Sequence, residues 1–446
     1  FTSSEPTTNF VSGDIELYGG VISNFSAKSS TVYTATFSPT SSATTTISVA
    51  ANKFTDANGN SNTATTVYLW RSLNRVISVK KDGTGDYTAI ASAISGSING
   101  DTIRVYDGTY SENLTIDNKN LVMISNNGAG STIIDGNKTG HCLLIKGSSV
   151  VTLDGFTLTN GRATSSNENS DGAGIYISST GLVNLNNLVI YGNAAASTGG
   201  GVYIASPADV SINACKIYSN EAVDYGGGIA IRSKKTIIKN SLIYNNLTSG
   251  YDGGGIDVTS TFVLINSTLV NNSVPNSRYG AAIRISTASD SVLLFNNALY
   301  NNYGGSNYSV DDGIYLSSGK LVVYNNYFNA EEAGDGLSIS RGENNVFSND
   351  NPFTDVSNND YTIKDIRLLE SGIASVVFNG VTYSAPSNDI AGNSRPNPAN
   401  TSPDMGAYES SNSPDTTPPA TPTELVVTPG DTKISFTWKG NTETDL

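Results

Sequence analysis

A chain of 446 residues with 44 glycines and 14% charged residues is long enough for several domains, and its composition is that of a turn-rich all-β protein rather than a disordered one. The formal charge of −14 argues against nucleic acid as a partner, because phosphate binding needs clustered Lys and Arg. No run approaches the roughly 18 apolar residues of a membrane-spanning helix, so the chain is expected to hold no such span.

Residues 1–73 alternate as strands do: in TVYTATF, Tyr33, Ala35 and Phe37 share one face, and TTTISVAA and TTVYLW repeat the pattern between turn clusters. This predicts a β-sandwich. The phrases SEPTTNFVSGDIELYGGVISNFS and AANKFTDANGNSNTA resemble bacterial Ig-like domains, whose usual opening strands are absent, so a fragment of a longer chain or a strand supplied from elsewhere is expected. In DANGN, Asp56, Asn58 and Asn60 take alternate places in a glycine-containing loop, a spacing that can wrap oxygens around calcium. The same residues also make an ordinary hairpin turn.

From residue 74 the pattern changes. Asp86 is placed to cap a short helix in which Ile90, Ile94 and Ile98 share one face, and that helix would cover the open end of a solenoid. The solenoid itself is written as a repeat: GAGIYI at Gly172, GGGVYI at Gly199, GGGIAI at Gly226, GGGIDV at Gly253 and GAAIRI at Gly280 recur every 27 residues, and DDGIYL at Asp311 comes after 31. Within each copy the apolar residues alternate, so Ile175, Val202, Ile229, Ile256 and Ile283 should form one inward stack. Asn186, Asn213, Asn240, Asn266, Asn296 and Asn325 keep step with the repeat, and as corner residues they could stack into an amide ladder. Units this small bury an apolar column only by stacking about 4.8 Å apart; about nine of them make a parallel β-solenoid on the order of 40 Å long.

These repeats resemble the right-handed parallel β-helix superfamily, the fold of pectate lyases and many bacterial surface proteins. The fold class expected is all-β: a right-handed parallel β-helix over residues 74–350, with an N-terminal helix cap and a preceding β-sandwich. Cys142 and Cys215 fall in different coils, beyond the roughly 7 Å reach of a disulfide, and read as buried small residues. Irregular stretches at 162–171, 304–311 and 329–336 are places where a working face could be built. Residues 351–411 end in DIAGNSRPNPANTSPDMGAYE, which resembles the closing segment of secreted bacterial β-helix proteins and implies a segment folded back on the final coil. Residues 412–422 form a proline-rich linker, and 423–446 resemble the start of a fibronectin type III domain with Trp438 at its core. Modules at both ends imply a slice of a longer secreted or cell-surface protein.

Chemistry is sparse. His141 is the single histidine, so a Ser or Cys triad has little to draw on, and polygalacturonases of this fold class pair a histidine with several carboxylates. A polysaccharide lyase needs less: a base for the proton α to a uronate carboxylate, and a cation beside it. The residues between the buried pair in each repeat, Tyr176, Tyr203, Ala230, Asp257, Arg284 and Tyr315, should form an exposed column, with Asp171, Tyr225, Asp252 and Tyr279 just before the strands. Tyr176, Tyr203, Tyr225, Tyr279 and Tyr315 would supply a glycan groove. Asp252, Asp257 and Arg284 are the lyase candidates, and an Asp257–Arg284 cross-strand pair is the structural reading of two of them. The expectation is a non-catalytic adhesive or glycan-binding surface module; the alternative is a lyase acting on acidic glycans.

Overall fold

The computed structural model describes residues 1–39, 45–70, 75–164, 170–205, 207, 209–275, 278–304, 313–329, 339–414, 423–429, 431 and 433–439. The proposed domain boundary at 73, the proline-rich linker from residue 415 on, and most of the three irregular stretches lie outside the described residues. The chain divides into two compact units, Phe1–Ser211 with Arg232–Lys234, and Ile212–Ile231 with Lys235–Leu446. Among the described residues no helix is long and apolar enough to cross a membrane.

The first unit opens with an antiparallel sheet of Ile15–Tyr18, Thr45–Val49 and Tyr68–Trp70, and a hairpin of Gly20–Ala27 with Tyr33–Pro39. Their apolar faces enclose Phe10, Ile15, Tyr33 and Val49. Phe10 meets the Tyr33 ring edge-on at 5.0 Å, and the Tyr33 hydroxyl donates to Thr7 O at 2.7 Å. The coils begin at Val76–Val79, which pairs in parallel with Thr102–Val105. Between these strands runs the helix Ile90–Gly96, which buries Ile90, Ala93 and Ile94 against the first coils.

Its cap differs from the expectation. Ala89 occupies the N-cap position without a side-chain bond, and Glu112 from a later strand connection accepts from Ile90 N at 2.9 Å and Ala91 N at 2.8 Å. Asp86 instead accepts from Ser78 N and Oγ at 2.8 and 2.7 Å, and Ile98 lies beyond the helix. A distant carboxylate on the positive end of the helix takes the role expected of a local one.

Further along the first unit the coils stack in parallel, with Leu143 on Ile175 on Val202 and Ile145 on Ile177 on Ile204. Strands such as Val151–Asp154 and Val183–Asn186 alternate buried and half-buried residues, which is one-sided burial.

In the second unit Ile229, Ile256, Ile283 and Ile314 continue in one register, and Ile231, Val258, Ile285 and Leu316 in another. Ile175, Val202, Ile229, Ile256 and Ile283 are all fully buried, as the repeat predicts. Of the asparagines that keep step with the repeat, Asn296 donates to Asn266 at 3.2 Å, but they do not form the continuous interior ladder. Asn240, Asn266, Asn296 and Asn325 hold left-handed φ of 56°, 43°, 57° and 49°, which turns each corner. The ladder lies elsewhere: Asn220 donates to Asn246, Asn246 to Asn272 and Asn272 to Asn302, at 3.0, 3.0 and 2.9 Å, all buried. Asn246, Asn272 and Asn302 each both donate and accept, which satisfies their buried amides.

The side chains of the corner asparagines are taken up by the closing segment. Asn266 donates to Asp404 O at 2.9 Å, Asn296 to Ile373 O at 2.8 Å and Asn325 to Ser371 O at 2.8 Å. Residues 351–411 therefore do not sit on the final coil alone; they lie across the outer side of several coils as a second layer. Phe353, Tyr361, Leu368, Met405 and Ala407 pack on Leu242, Tyr244, Val270, Ala298 and Tyr327. The hairpin Ser375–Phe378 with Val381–Ser384 lays Val376, Phe378 and Tyr383 over Val263, Ile265, Leu293 and Phe295. Beyond it, Thr423–Pro429 pairs antiparallel with Ile434–Lys439. Cys142 in the first unit and Cys215 in the second are buried, and neither is in a disulfide.

Candidate functional site

Because the repeat places equivalent residues one coil apart, the centre of each long strand builds a column across the coils. In the first unit that column holds Tyr176 stacked on Tyr203, with ring centroids 5.4 Å apart and 17° between planes. The His141 ring stands 5.8 Å from Tyr176; its Nδ1 lies 2.9 Å from Gly172 O, and its buried Nε2 has no hydrogen-bond partner. Asp171 turns to the chain, accepting from Thr198 N at 2.9 Å.

The second unit has a charged column of its own, and here the expectation of exposure fails at two places. Ala230 and Asp257 are fully buried. For Asp257 the cause is Arg284, whose long side chain reaches back over the neighbouring coil. Its Nη1 donates to Asp257 Oδ1 at 2.7 Å, its Nε lies 3.3 Å from Asp252 Oδ2 without an aligned hydrogen bond, and its guanidinium covers the Tyr225 ring at 4.7 Å. Ala230, in register with Asp257, contributes only a methyl group to the column at that level. The sequence places Asp252, Asp257 and Arg284 in neighbouring coils, and the structure brings all three into contact. Arg284 is 17% exposed at its side chain and Asp257 not at all, so the arginine is a lid on a buried carboxylate. Burial alone would lower the Arg284 pKa, but the charge and hydrogen bond of Asp257 and the charge of Asp252 hold it above its ordinary value. The guanidinium therefore stays protonated in this arrangement.

The rings around this lid are arranged in pairs. Tyr279 stacks on Tyr315 at 4.6 Å, and Tyr225 tilts toward Tyr251 at 5.3 Å, with the Arg278 guanidinium 4.4 Å over Tyr251. Tyr251 and Tyr279 are 41% and 44% exposed. Face-to-face packing takes up one ring face each of Tyr279 and Tyr315. Tyr251 and Arg278 fall outside the predicted column, which takes the residue just before each glycine phrase; both stand one place earlier, at the position of Asp224 in the preceding copy.

In the N-terminal loop Asp56 Oδ1 accepts from Asn58 N and Asn60 N at 2.9 and 2.8 Å, and Oδ2 accepts from Asn60 Nδ2 at 2.9 Å. These bonds, those from Asn60 foremost, hold the Asp56 carboxyl below its ordinary pKa. Among the described residues no group of three or more His, Cys, Asp or Glu side chains is gathered for a metal.

Inward columns repeated in parallel, glycine phrases at the corners and an antiparallel module before them define a parallel β-helix protein with an N-terminal Ig-like region. Residues 1–70 match the family described as Bacterial Ig-like domain, and residues 139–309 match the Right handed beta helix region. Similar solved structures include the pectate lyase Pel9A, at TM-score 0.43 and 15% identity, over 76% of this chain and 97% of that one. A pectin methylesterase from carrot aligns at TM-score 0.40 and 13% identity, over 62% of this chain and 88% of the other. A family 28 exopolygalacturonase from Yersinia enterocolitica gives 0.23 and 9%, covering 70% and 76%. No curated protein matches the chain.

Proposed function

We propose that this protein is a non-catalytic module of an extracellular or cell-surface protein, which holds polysaccharide along its tyrosine-bearing coils and does not cleave it. One observation carries the reading: Asp257 is sealed beneath Arg284, which also stands against Asp252, so the cation nearest to a lyase constellation is held by its own carboxylates. A base must reach its proton and be free to accept it, and Arg284 meets neither demand. The paired tyrosines supply hydroxyl groups and ring edges at intervals of one coil, which suits a long polymer more than a small ligand.

The test is incubation of the whole chain with pectate, alginate and glycosaminoglycans, with and without calcium. Retardation in a polysaccharide gel without growth of ultraviolet absorbance is the expected result. Absorbance from unsaturated uronates that disappears in Arg284→Ala would replace this reading with a lyase. Calcium enters the proposal at Asp56, Asn58 and Asn60: an ion bound only by the folded loop raises the melting temperature of the N-terminal part by mass action. A chelator that leaves that temperature unchanged would assign the loop to turn formation alone.

A further inference from the structure

The closing segment carries a buried cluster of ionisable groups that none of the preceding chemistry uses. Arg395 Nε donates to Glu409 Oε2 at 2.7 Å, and both side chains are fully buried. The same arginine reaches Asn240 Oδ1 at 3.3 Å on a coil and Gly406 O at 3.1 Å. Asp389 accepts from Glu409 N at 3.0 Å, and Asp404 accepts from Glu370 N and Ser410 N, both at 2.7 Å. Asp389, Asp404 and Glu409 are 2%, 0% and 7% exposed. Three carboxylates are thus buried near one guanidinium, which is ion-paired with Glu409. Fully charged, Asp404 and Glu409 would bury one more negative charge than Arg395 offsets, which favours uptake of a proton relative to the open chain.

We propose that residues 389–409 form a proton-tightened clasp, in which Asp404 and Glu409 beside Arg395 fasten the outer layer to the coils at mildly acidic pH and release it as the pH rises through neutrality. Release bares Tyr244, Val270 and Ala298, the apolar outer side of the coils that Met405 and Ala407 cover. The groups facing Asp404 are Glu409 and Arg395 with Asp389 on its own segment, the Glu370 stretch, and the neutral amide of Asn266 from the coil. Burial, with the charge of Glu409 adding to it, pushes the Asp404 carboxyl up to about 7 against the backbone donors and Arg395. Burial raises Glu409 as well, against the pull of Arg395. A carboxyl raised in the folded state stabilises fully below its ordinary value of 3.8 and loses that contribution as the pH climbs through the folded value. Asp350, Asp355 and Asp365 on the same layer are held low by their hydrogen bonds, and they act in the opposite sense only in stronger acid.

The experiment is hydrogen exchange of the whole chain, corrected for the intrinsic rate, between about pH 5 and pH 8. Protection at the Glu370 and Ser410 amides should fall by up to about tenfold per pH unit up to about pH 7. Asp404→Asn should flatten that slope. Should this variant fail to fold, a carboxyl titration of the unsubstituted chain decides instead, with one buried carboxyl expected to titrate near neutrality. Flat protection, a slope that survives Asp404→Asn, or carboxyls that all titrate in the ordinary acid range would overturn the clasp.

Discussion

Coils of the same repeat present different outer sides in the two units. In the first, Val151–Asp154 and Val183–Asn186 alternate, with Thr152, Asp154, Asn184 and Asn186 on the side away from the core. In the second, Thr261–Ile265 is buried from its second residue onward and Thr268–Val270 throughout, because Val376, Phe378 and Tyr383 cover one sheet and Phe353, Tyr361, Leu368 and Met405 the other. The difference teaches that a solenoid strand reads as alternating only while one of its faces meets water. Once a second layer covers the outer face the strand becomes a continuous apolar run, as in any sheet buried on both sides.

The largest effect should come from placing a charge on that outer side. Val270→Asp is expected to cost roughly 3–5 kcal/mol in denaturant unfolding, because the carboxylate is sealed between coil and closing layer. Tyr191→Asp, at the equivalent place in the first unit and half-buried, should cost about 1 kcal/mol or less. Equal costs would break the comparison. Next comes Arg284→Ala, which removes the cation that covers the buried Asp257 carboxylate, for about 3 kcal/mol. Adding Asp257→Ala should restore part of the loss; a double variant as unstable as the sum of the two would mean that the pair is not coupled.

The amide ladder should answer more moderately. Asn246→Ala removes one donor and one acceptor from a buried row, so about 1–3 kcal/mol is expected from the shift of the thermal midpoint. The smallest effect belongs to the first unit, where Glu112→Gln weakens the charge on the helix N-terminus by about 0.5–1 kcal/mol. Asp86→Asn should leave helical circular dichroism unchanged, and a loss there would return the cap to Asp86.

Part of the contrast was legible beforehand. The run FVLI at 262–265 and VLLF at 292–295 lack the polar alternates of VTLD at 151–154, which is the mark of a covered face. What escaped was the cover, since residues 351–411 carry no repeat and their contacts depend on chain more than a hundred residues away, as Asn266 to Asp404 illustrates. The candidate site was legible to a similar degree. The spacing brought Asp252, Asp257 and Arg284 together, but whether Asp257 faced water depended on how far one arginine side chain reached.

The sequence by itself determined the coil: its period, its inward isoleucine stack and the glycine and asparagine corners, because those follow from local alternation and from residues that accept left-handed φ. Tertiary structure alone decided which asparagines form the interior ladder, which carboxylate caps the helix and which column residues are buried. A corner shifted by one position exchanges inside for outside, and a long side chain or a returning segment can cover whatever the pattern leaves exposed.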